Sequence, residues 1–460
     1  MDLSNILELV FADIRNIQKE INSLPVTRTI GLLNDNIRTL KDQKTPLDEL
    51  YTAFKSDIQP YLSISRSPRN FSFITGGITD GGMIGELLVP LFDQNVMANS
   101  DTSRSIAPII EDIVIKQLTE LFSLHSFTGT LTTGATMSNL VGIRCGLQWI
   151  GNQNGIDISQ DGMFGLGKVE VFANCPHSCV LKVLSVLGLG HNSIVKIKGL
   201  EKDSTVMDTS DLELKLKESF RNSTTNARII IAAAGDVNTG SFDDLETICE
   251  LGRKYESWVH VDGAFGLFAQ CSPKYSHLTK GIQLADSITS DGHKWLNVGY
   301  DCGLFFVNTK HDGILNSVFS TSAAYIPGSD SPMNRSLENS KRFRALPIWF
   351  SLKSLGKNGY TTIIENNCQF AFEFGNWINR SKHYSLLAPV QLNIVLFKAE
   401  NGNTRDILKA INETGLVFMT GTVHNNEYGI RCAVSNWSTT IERDFKILVD
   451  VMNQVLIDMK

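Results

Sequence analysis

The sequence predicts an α/β protein with a mostly parallel sheet. Apolar runs of strand length recur at 169–173 (VEVFA), 228–234 (RIIIAAA), 258–262 (WVHVD) and 302–307 (CGLFFV), with helical segments between them at 178–189 and 243–256. Strands alternating with helices at this spacing make βαβ units. Polar residues collect just after these runs, at the strand ends where open parallel sheets place their ligands.

Taken in chain order, residues 1–60 read as helical. Leu3, Ile6, Leu7, Val10 and Phe11 repeat at helical spacing, and 27–57 continues with mixed polar helix formers. A glycine-rich connection, PRNFSFITGGITDGGMIGE at 68–86, lacks the residue order of a P-loop and reads as a loop or tight packing. An amphipathic helix is expected over 108–123, with Ile109, Ile110, Ile113, Val114, Leu118, Leu121 and Phe122. TGTLTTGATMSNLVGI at 128–143 gives a short strand, a Thr-Gly-Ala-Thr turn, and Ser138 and Asn139 entering a helix. Residues 312–346 are rich in Ser, Asn, Pro and Gly with little periodicity, which suits a mobile loop at about 318–340. ALPIWFSLKSLG then opens a long helical region. LNIVLFK, GLVFMTG, YGIRCAVSN and a final helix make a small α+β lobe.

Composition excludes several classes. The chain has 460 residues, 42% hydrophobic and 20% charged, with a formal net charge of −6, so it carries no basic footprint for nucleic acid or an anionic membrane. Its best apolar run, Val180 to Gly190, is short and contains Lys182, so no membrane span is expected. The N-terminus has acids among its apolar residues and no basic leader, which points to a cytoplasmic protein. The eight cysteines are scattered without CxxC spacing; Cys175 and Cys179 flank Pro176 and His177 but find no second pair. Reduced thiols and no metal are the expectation.

Four strand ends carry reactive residues. Asp262 closes WVHVD, Lys294 follows the strand-like ADSITSD, His177 follows VFANCP, and Asn238 and Thr239 follow RIIIAAAGDV. An acid closing an apolar strand is costly to bury without a cationic partner. Each residue alone has a plain reading: a turn aspartate, a loop histidine, a snorkelling lysine, a helix cap. Together they suit pyridoxal phosphate, which needs a lysine amine, a carboxylate at its ring nitrogen, and phosphate donors at a helix N-terminus.

The blocks GTLTTGATMSNL, NCPHSCVLKVLSVLG, AAAGDVNTGSFDDLETI, WVHVDGAFG, SDGHKWLNVGYDCG and RFRALPIWFSLKSLGKNGY, in this order from about residue 70 to the C-terminus, resemble those of the group II pyridoxal-phosphate-dependent decarboxylases. The resemblance is to a decarboxylase-like branch of that family, which includes aromatic-L-amino-acid, glutamate, histidine and diaminobutyrate decarboxylases. It implies fold type I: an N-terminal helical segment (1–67), a large domain (68–345) with a seven-stranded, mostly parallel sheet, and a small C-terminal domain (346–460). It implies a homodimer with the N-terminal helices packed across it, and an amino-acid substrate. Lys294 would form the Schiff base and Asp262 would pair with the ring nitrogen. Ala264 would pack under the ring and His177 stack on its other face. Ala135, Thr136, Asp291 and His293 would surround the phosphate, and Asn238 would lie near the ring hydroxyl.

The same resemblance expects a loop tyrosine as the proton donor after CO2 loss, but spacing puts Pro332 there; Tyr325 is the loop's own tyrosine. Tyr325, His177 or water then takes the role, or the reaction turns to an aldehyde. An aminotransferase or lyase of the same fold stays an alternative. Arg431 either clamps a substrate carboxylate or holds a strand end. Phe73, Ile74, Phe319 and Tyr325 would line the pocket and lean the substrate towards an aromatic or aliphatic amino acid.

Overall fold

The computed structural model describes residues 3–28, 35–40, 42–96, 105–222, 227–320 and 332–458. Helix α1 (Leu3–Glu20) opens the chain. Of the segment expected to continue as helix, Asp35–Arg38 and Leu47–Ala53 are α-helical. The rest of the described stretch carries too few apolar residues to hold a continuous helical face. Asp13 of α1 ties the pair together by accepting from Tyr51 and from Lys55, the latter at 2.8 Å. Helices α2 (Asp80–Phe92) and α3 (Ala107–Leu121) lead into the large sheet.

Its strands are β1 (Phe127–Thr132), β2 (Glu170–Ala173), β3 (Ile194–Lys196), β6 (Arg228–Ala233), β7 (Trp258–Asp262), β8 (Ser287–Asp291) and β9 (Gly303–Asn308), and a small hairpin of β4 (Gly199–Leu200) and β5 (Asp203–Met207) lies apart. The seven strands run in the order β1-β9-β8-β7-β6-β2-β3. All pair in parallel except β9, which is antiparallel to both of its neighbours. Period-two alternation sends successive residues to opposite faces. Ile230, Val259, Val261 and Phe306 join one core, whereas Ile229, Ile231, Trp258 and Phe305 join another. Burial on both faces is why these strands read as unbroken apolar runs.

Helix α4 (Ala135–Gln153) crosses the second face with α5 (Ser178–Val186) beside it. α6 (Thr209–Asn222) and α7 (Leu245–Lys254) complete the crossovers. α8 (Ala345–Arg380) is two helices joined at Gly356, whose φ of 62° breaks the helical path. Its first part packs on α2 and α3; its second part puts Phe370, Phe374 and Ile378 into the core of a four-stranded antiparallel sheet. That sheet orders as β10 (Tyr384–Leu386), β11 (Ile394–Ala399), β13 (Glu427–Ala433) and β12 (Thr420–His424), and α9 (Thr404–Glu413) and α10 (Lys446–Asp458) cover it. The strand expected over GLVFMTG begins only at Thr420, because Gly415 turns the chain at a φ of 68°.

Within the expected loop at 318–340, residues 321–331 lie outside the described residues, Tyr325 among them. Beyond them Pro332–Arg335 form a short 3-10 turn with Pro332, Met333 and Asn334 buried. Lys341 comes next and is fully buried against Glu111 of α3, 2.6 Å away, and Thr130 of β1, 3.0 Å away. Removing one partner strands the other charge in the core. Glu111→Ala is therefore expected to cost about 3–5 kcal/mol, read as a lowered denaturant midpoint, with Glu111→Gln closer to the parent.

Candidate active site

A cavity of about 730 Å3 opens at the carboxyl ends of the parallel strands. The turn after each strand supplies part of the wall: Gly134, Ala135 and Thr136 after β1, Asn174 to His177 after β2, Gly235 to Asn238 after β6, Asp262 and Ala264 after β7, and Asp291, His293 and Lys294 after β8. Thr422 and Arg431 close it from the small sheet, and Phe73 from the glycine-rich connection. The residues expected to hold cofactor and substrate thus line one cavity, apart from Tyr325, which is outside the described residues.

Asp262 ends β7 partly exposed to the cavity. Its carboxylate accepts from Asn139 Nδ2 at 3.1 Å and from the Ala264 amide at 3.2 Å. These are neutral donors, so the cationic partner expected for the acid is not in its hydrogen-bonded shell. Lys294 Nζ instead lies 3.6 Å from Asp291 Oδ2 and 5.9 Å from the Phe265 ring centroid. Asp291 Oδ1 accepts from the Ala135 amide at 2.6 Å, so this carboxylate already occupies one N-terminal donor of α4. The first-turn amides of Thr136 and Met137 have no preceding helical carbonyl to bond, and they stay available to an anion.

His293 Nδ1 accepts from the Cys302 amide at 3.4 Å, and its ring stacks on Tyr300 with centroids 4.4 Å apart. His177 caps α5, Nδ1 accepting from the Cys179 amide at 3.3 Å, which leaves the ring proton of the neutral form on Nε2. His177 is exposed into the cavity, yet the protein packed around it lowers its pKa; desolvation is the largest cause, Lys294 and Arg431 add to it, and Asp262 opposes it. Arg431 is buried, its Nη1 donating to the Val237 carbonyl at 3.0 Å and its Nη2 to Thr420 Oγ1 at 3.2 Å, while Nε has no partner. Asn238 accepts from Thr422 Oγ1 at 2.8 Å, joining the two sheets at the cavity wall.

The expected apolar lining is thinner than the sequence suggested. Phe73 reaches the cavity and is 62% exposed, but Ile74 is fully buried in the core and Phe319 packs against the second core cluster. Phe73 and Ile74 both adopt left-handed backbone, φ 50° and 61°. The next turn is tight: a side chain at Gly76 would overlap the Lys294 carbonyl. Asn139 and His260, which stand behind Asp262, were not among the expected site residues. Alternation along β7 puts His260 on the face of Asp262, and that spacing was the available signal.

The cavity's donor set fits pyridoxal phosphate. It offers one primary amine, a carboxylate without a bound cation, a flat imidazole and open helix N-terminal amides. With the doubly wound large sheet and the small antiparallel sheet, this defines a pyridoxal-phosphate-dependent enzyme of fold type I. The model of the pyridoxal-dependent decarboxylase conserved domain matches residues 32–400. An aromatic-L-amino-acid decarboxylase of Bacillus atrophaeus is 26% identical over 453 residues, covering 94% of this chain and 91% of that protein. A phenylacetaldehyde synthase of a Rosa hybrid cultivar is 26% identical over 419 residues, covering 85% and 80%. The crystal structure of Oryza sativa TDC with PLP and tryptamine superposes with a TM-score of 0.89 at 20% identity, covering 100% of this chain and 99% of that one. The chain belongs to the pyridoxal-dependent decarboxylase family, in its group II, and its cofactor is pyridoxal phosphate.

The charges around His177 make a two-signed prediction. Its titration by NMR should have a midpoint below the usual 6.5. Arg431→Met should raise that midpoint, and Asp262→Asn should lower it.

Proposed function

We propose that this chain is an L-amino-acid decarboxylase that releases CO2 and leaves the amine. The observation that carries the reading is the placement of Lys294 and Asp262 after adjacent strands of one cavity, with the N-terminus of α4 opening onto it. When bound, pyridoxal phosphate supplies an aldehyde that takes up an amine and a ring that draws electrons from the bond to the departing carboxyl carbon. Lys294 would provide the amine that holds that aldehyde. Asp262 keeps a proton on the ring nitrogen by its charge. Ala264 presents only a methyl group beside it, and His177 offers a flat neutral ring for stacking.

Ala135 and Thr136 would border the phosphate at the helix N-terminus, the open amides of Thr136 and Met137 facing it, with Asp291 and His293 fixing the turn around it. Asn238 serves the ring hydroxyl. Arg431 retains a partnerless Nε beside the cavity, which supports a substrate-carboxylate role, and Phe73 meets the substrate side chain.

Proton return to the reacting carbon falls to Tyr325 or to His177 through Nε2. A second reading has a specific observation behind it. Pro332, at the position where the family resemblance expects a tyrosine, is buried in a turn and carries no proton. Loss of that donor favours an aldehyde product, with dioxygen as the two-electron oxidant and the nitrogen leaving as ammonia alongside hydrogen peroxide, in keeping with the similarity to a phenylacetaldehyde synthase.

The homodimer, the three-part domain division and a cytoplasmic location are proposed on the same footing. Leu3, Leu7, Leu9 and Phe11 of α1, and Leu91, Phe92, Ile106 and Ile109 around α2 and α3, are exposed, as at surfaces that pair. No helix among the described residues is long and apolar enough to cross a membrane.

Product analysis tests the reaction. Protein loaded with cofactor and given a panel of L-amino acids should release CO2 with the matching amine. CO2 with an aldehyde would establish the second reading, and a keto acid without CO2 would refute both. Lys294→Ala should bring turnover below detection. Asp262→Ala should weaken cofactor retention and remove activity together. Sedimentation should give twice the chain mass; a monomer would refute the dimer.

A further inference from the structure

Behind Asp262 a file of buried polar side chains runs away from the cavity. Asn139 Nδ2 donates to Asp262 Oδ2 at 3.1 Å. Asn139 Oδ1 lies 2.8 Å from His260 Nε2, and His260 Nδ1 lies 2.8 Å from Ser287 Oγ. Ser287 Oγ in turn accepts from the Trp258 indole at 3.0 Å. Asn139, His260, Ser287 and Trp258 are all fully buried, and none of them lines the cavity.

The directions of these bonds are determined by the two ends. An indole N–H can only donate, and an ionised carboxylate can only accept. Ser287 Oγ accepts from the indole, and because Asp262 takes the Asn139 N–H and leaves Asn139 Oδ1 facing His260 Nε2, Nδ1 is the ring's acceptor and Ser287 donates to it. The imidazole then carries its proton on Nε2 and donates to Asn139 Oδ1, which turns the amide N–H towards Asp262. Burial pushes the His260 pKa down to about 4, so the ring is neutral at physiological pH and this tautomer persists. Asn139 Nδ2 also lies 3.4 Å from Cys179 Sγ, and Thr289 Oγ1 lies 3.4 Å from His260 Nε2, so neither ring nor amide is held by a single bond.

The surroundings are shaped for this ring. Gly142 of α4 sits over it, and a side chain there would overlap Cε1 and Nδ1 of His260. Four buried polar side chains are a costly way to fill a core that apolar residues would fill as well. Their common end point is Asp262, a cavity carboxylate held by neutral donors.

We propose that His260 is a positioning residue: through Asn139 it fixes the orientation of Asp262 and so holds that carboxylate against the ring nitrogen of the cofactor. The inference rests on the proposed pairing of Asp262 with that nitrogen. A carboxylate receiving Asn139 on one oxygen and the Ala264 amide on the other has a single orientation.

The test uses protein loaded with pyridoxal phosphate labelled at the ring nitrogen, whose NMR shift separates the protonated from the unprotonated ring. Cofactor dissociation constants are measured by reconstitution of the apoprotein. Asp262→Asn is the reference variant and should move the signal towards the unprotonated position.

His260→Phe, which keeps the ring volume, and Asn139→Leu should each move the signal the same way and weaken cofactor binding roughly tenfold. The double variant should bind no worse than Asn139→Leu, within about twofold, because His260 acts through Asn139. His260→Gln, which keeps a donor, should return the signal towards the parent and covers the case in which His260→Phe does not fold. If Asp262→Asn moves the signal and the His260 and Asn139 variants do not, the relay is overturned and the pairing of Asp262 stands. Losses that add in the double variant would also overturn it. If Asp262→Asn leaves the signal in place, the pairing of Asp262 fails and takes the relay with it.

Discussion

The site is organised around one carboxylate held by neutral donors at the end of a buried strand. Among the described residues no lysine or arginine bonds Asp262, and its donors are neutral groups from elsewhere in the fold. Ala264 supplies one from the turn beyond the strand. The other comes from α4, and it reaches Asp262 only because that helix lies hard against the sheet. Gly142 sits on His260, and a side chain at Gly146 would come within 2.8 Å of Trp258. Close docking of α4 places Asn139 beside Asp262 and, one turn earlier, aims the open amides of the helix into the same cavity. One packing contact therefore sets both the positive pole of the site and the partner of its acid.

Asp291 shows the balance from the other side. Its carboxylate bonds the Ala135 amide and lies near both His293 and Lys294, acting as a local anion at the helix N-terminus. On the proposed reading a phosphate would meet there the remaining first-turn amides together with Lys294, whose charge Asp291 already partly answers. The lysine is thus held at the floor of the cavity without being bound to the acid on the neighbouring strand.

Much of this was legible in the sequence because the central strands are apolar on both faces and end abruptly in polar residues. RIIIAAA and WVHVD stand out for that reason, and the reactive residues come directly after them. β3 carries no comparable signal: it is three residues long, lies at the sheet edge and is only partly buried. α6 is equally faint, because its sequence, TSDLELKLKESFRN, buries little more than Leu212, Leu216 and Ser219. The left-handed pair at Phe73 and Ile74 has no sequence marker, since neither residue favours that conformation and tertiary packing imposes it. His260 was visible as a letter, but its role depends on a serine, an asparagine and a tryptophan from three separate segments.

The bonds that cross between the two sheets carry a mechanical consequence. Arg431 holds the Val237 carbonyl, Thr422 holds Asn238 and Gln391 holds Ser241. On the other side of Lys294, Trp295 donates to Asn367, and Asn297 exchanges bonds with Ser435 and Trp437. α8 adds a continuous chain connection that enters both cores. The small sheet is therefore not a lid that swings over a finished site; it is stitched to the turns on either side of the lysine. Heating should melt the two sheets in one cooperative calorimetric transition, and damage deep in the small sheet should reach the cofactor pocket as lost rigidity before any catalytic side chain is changed.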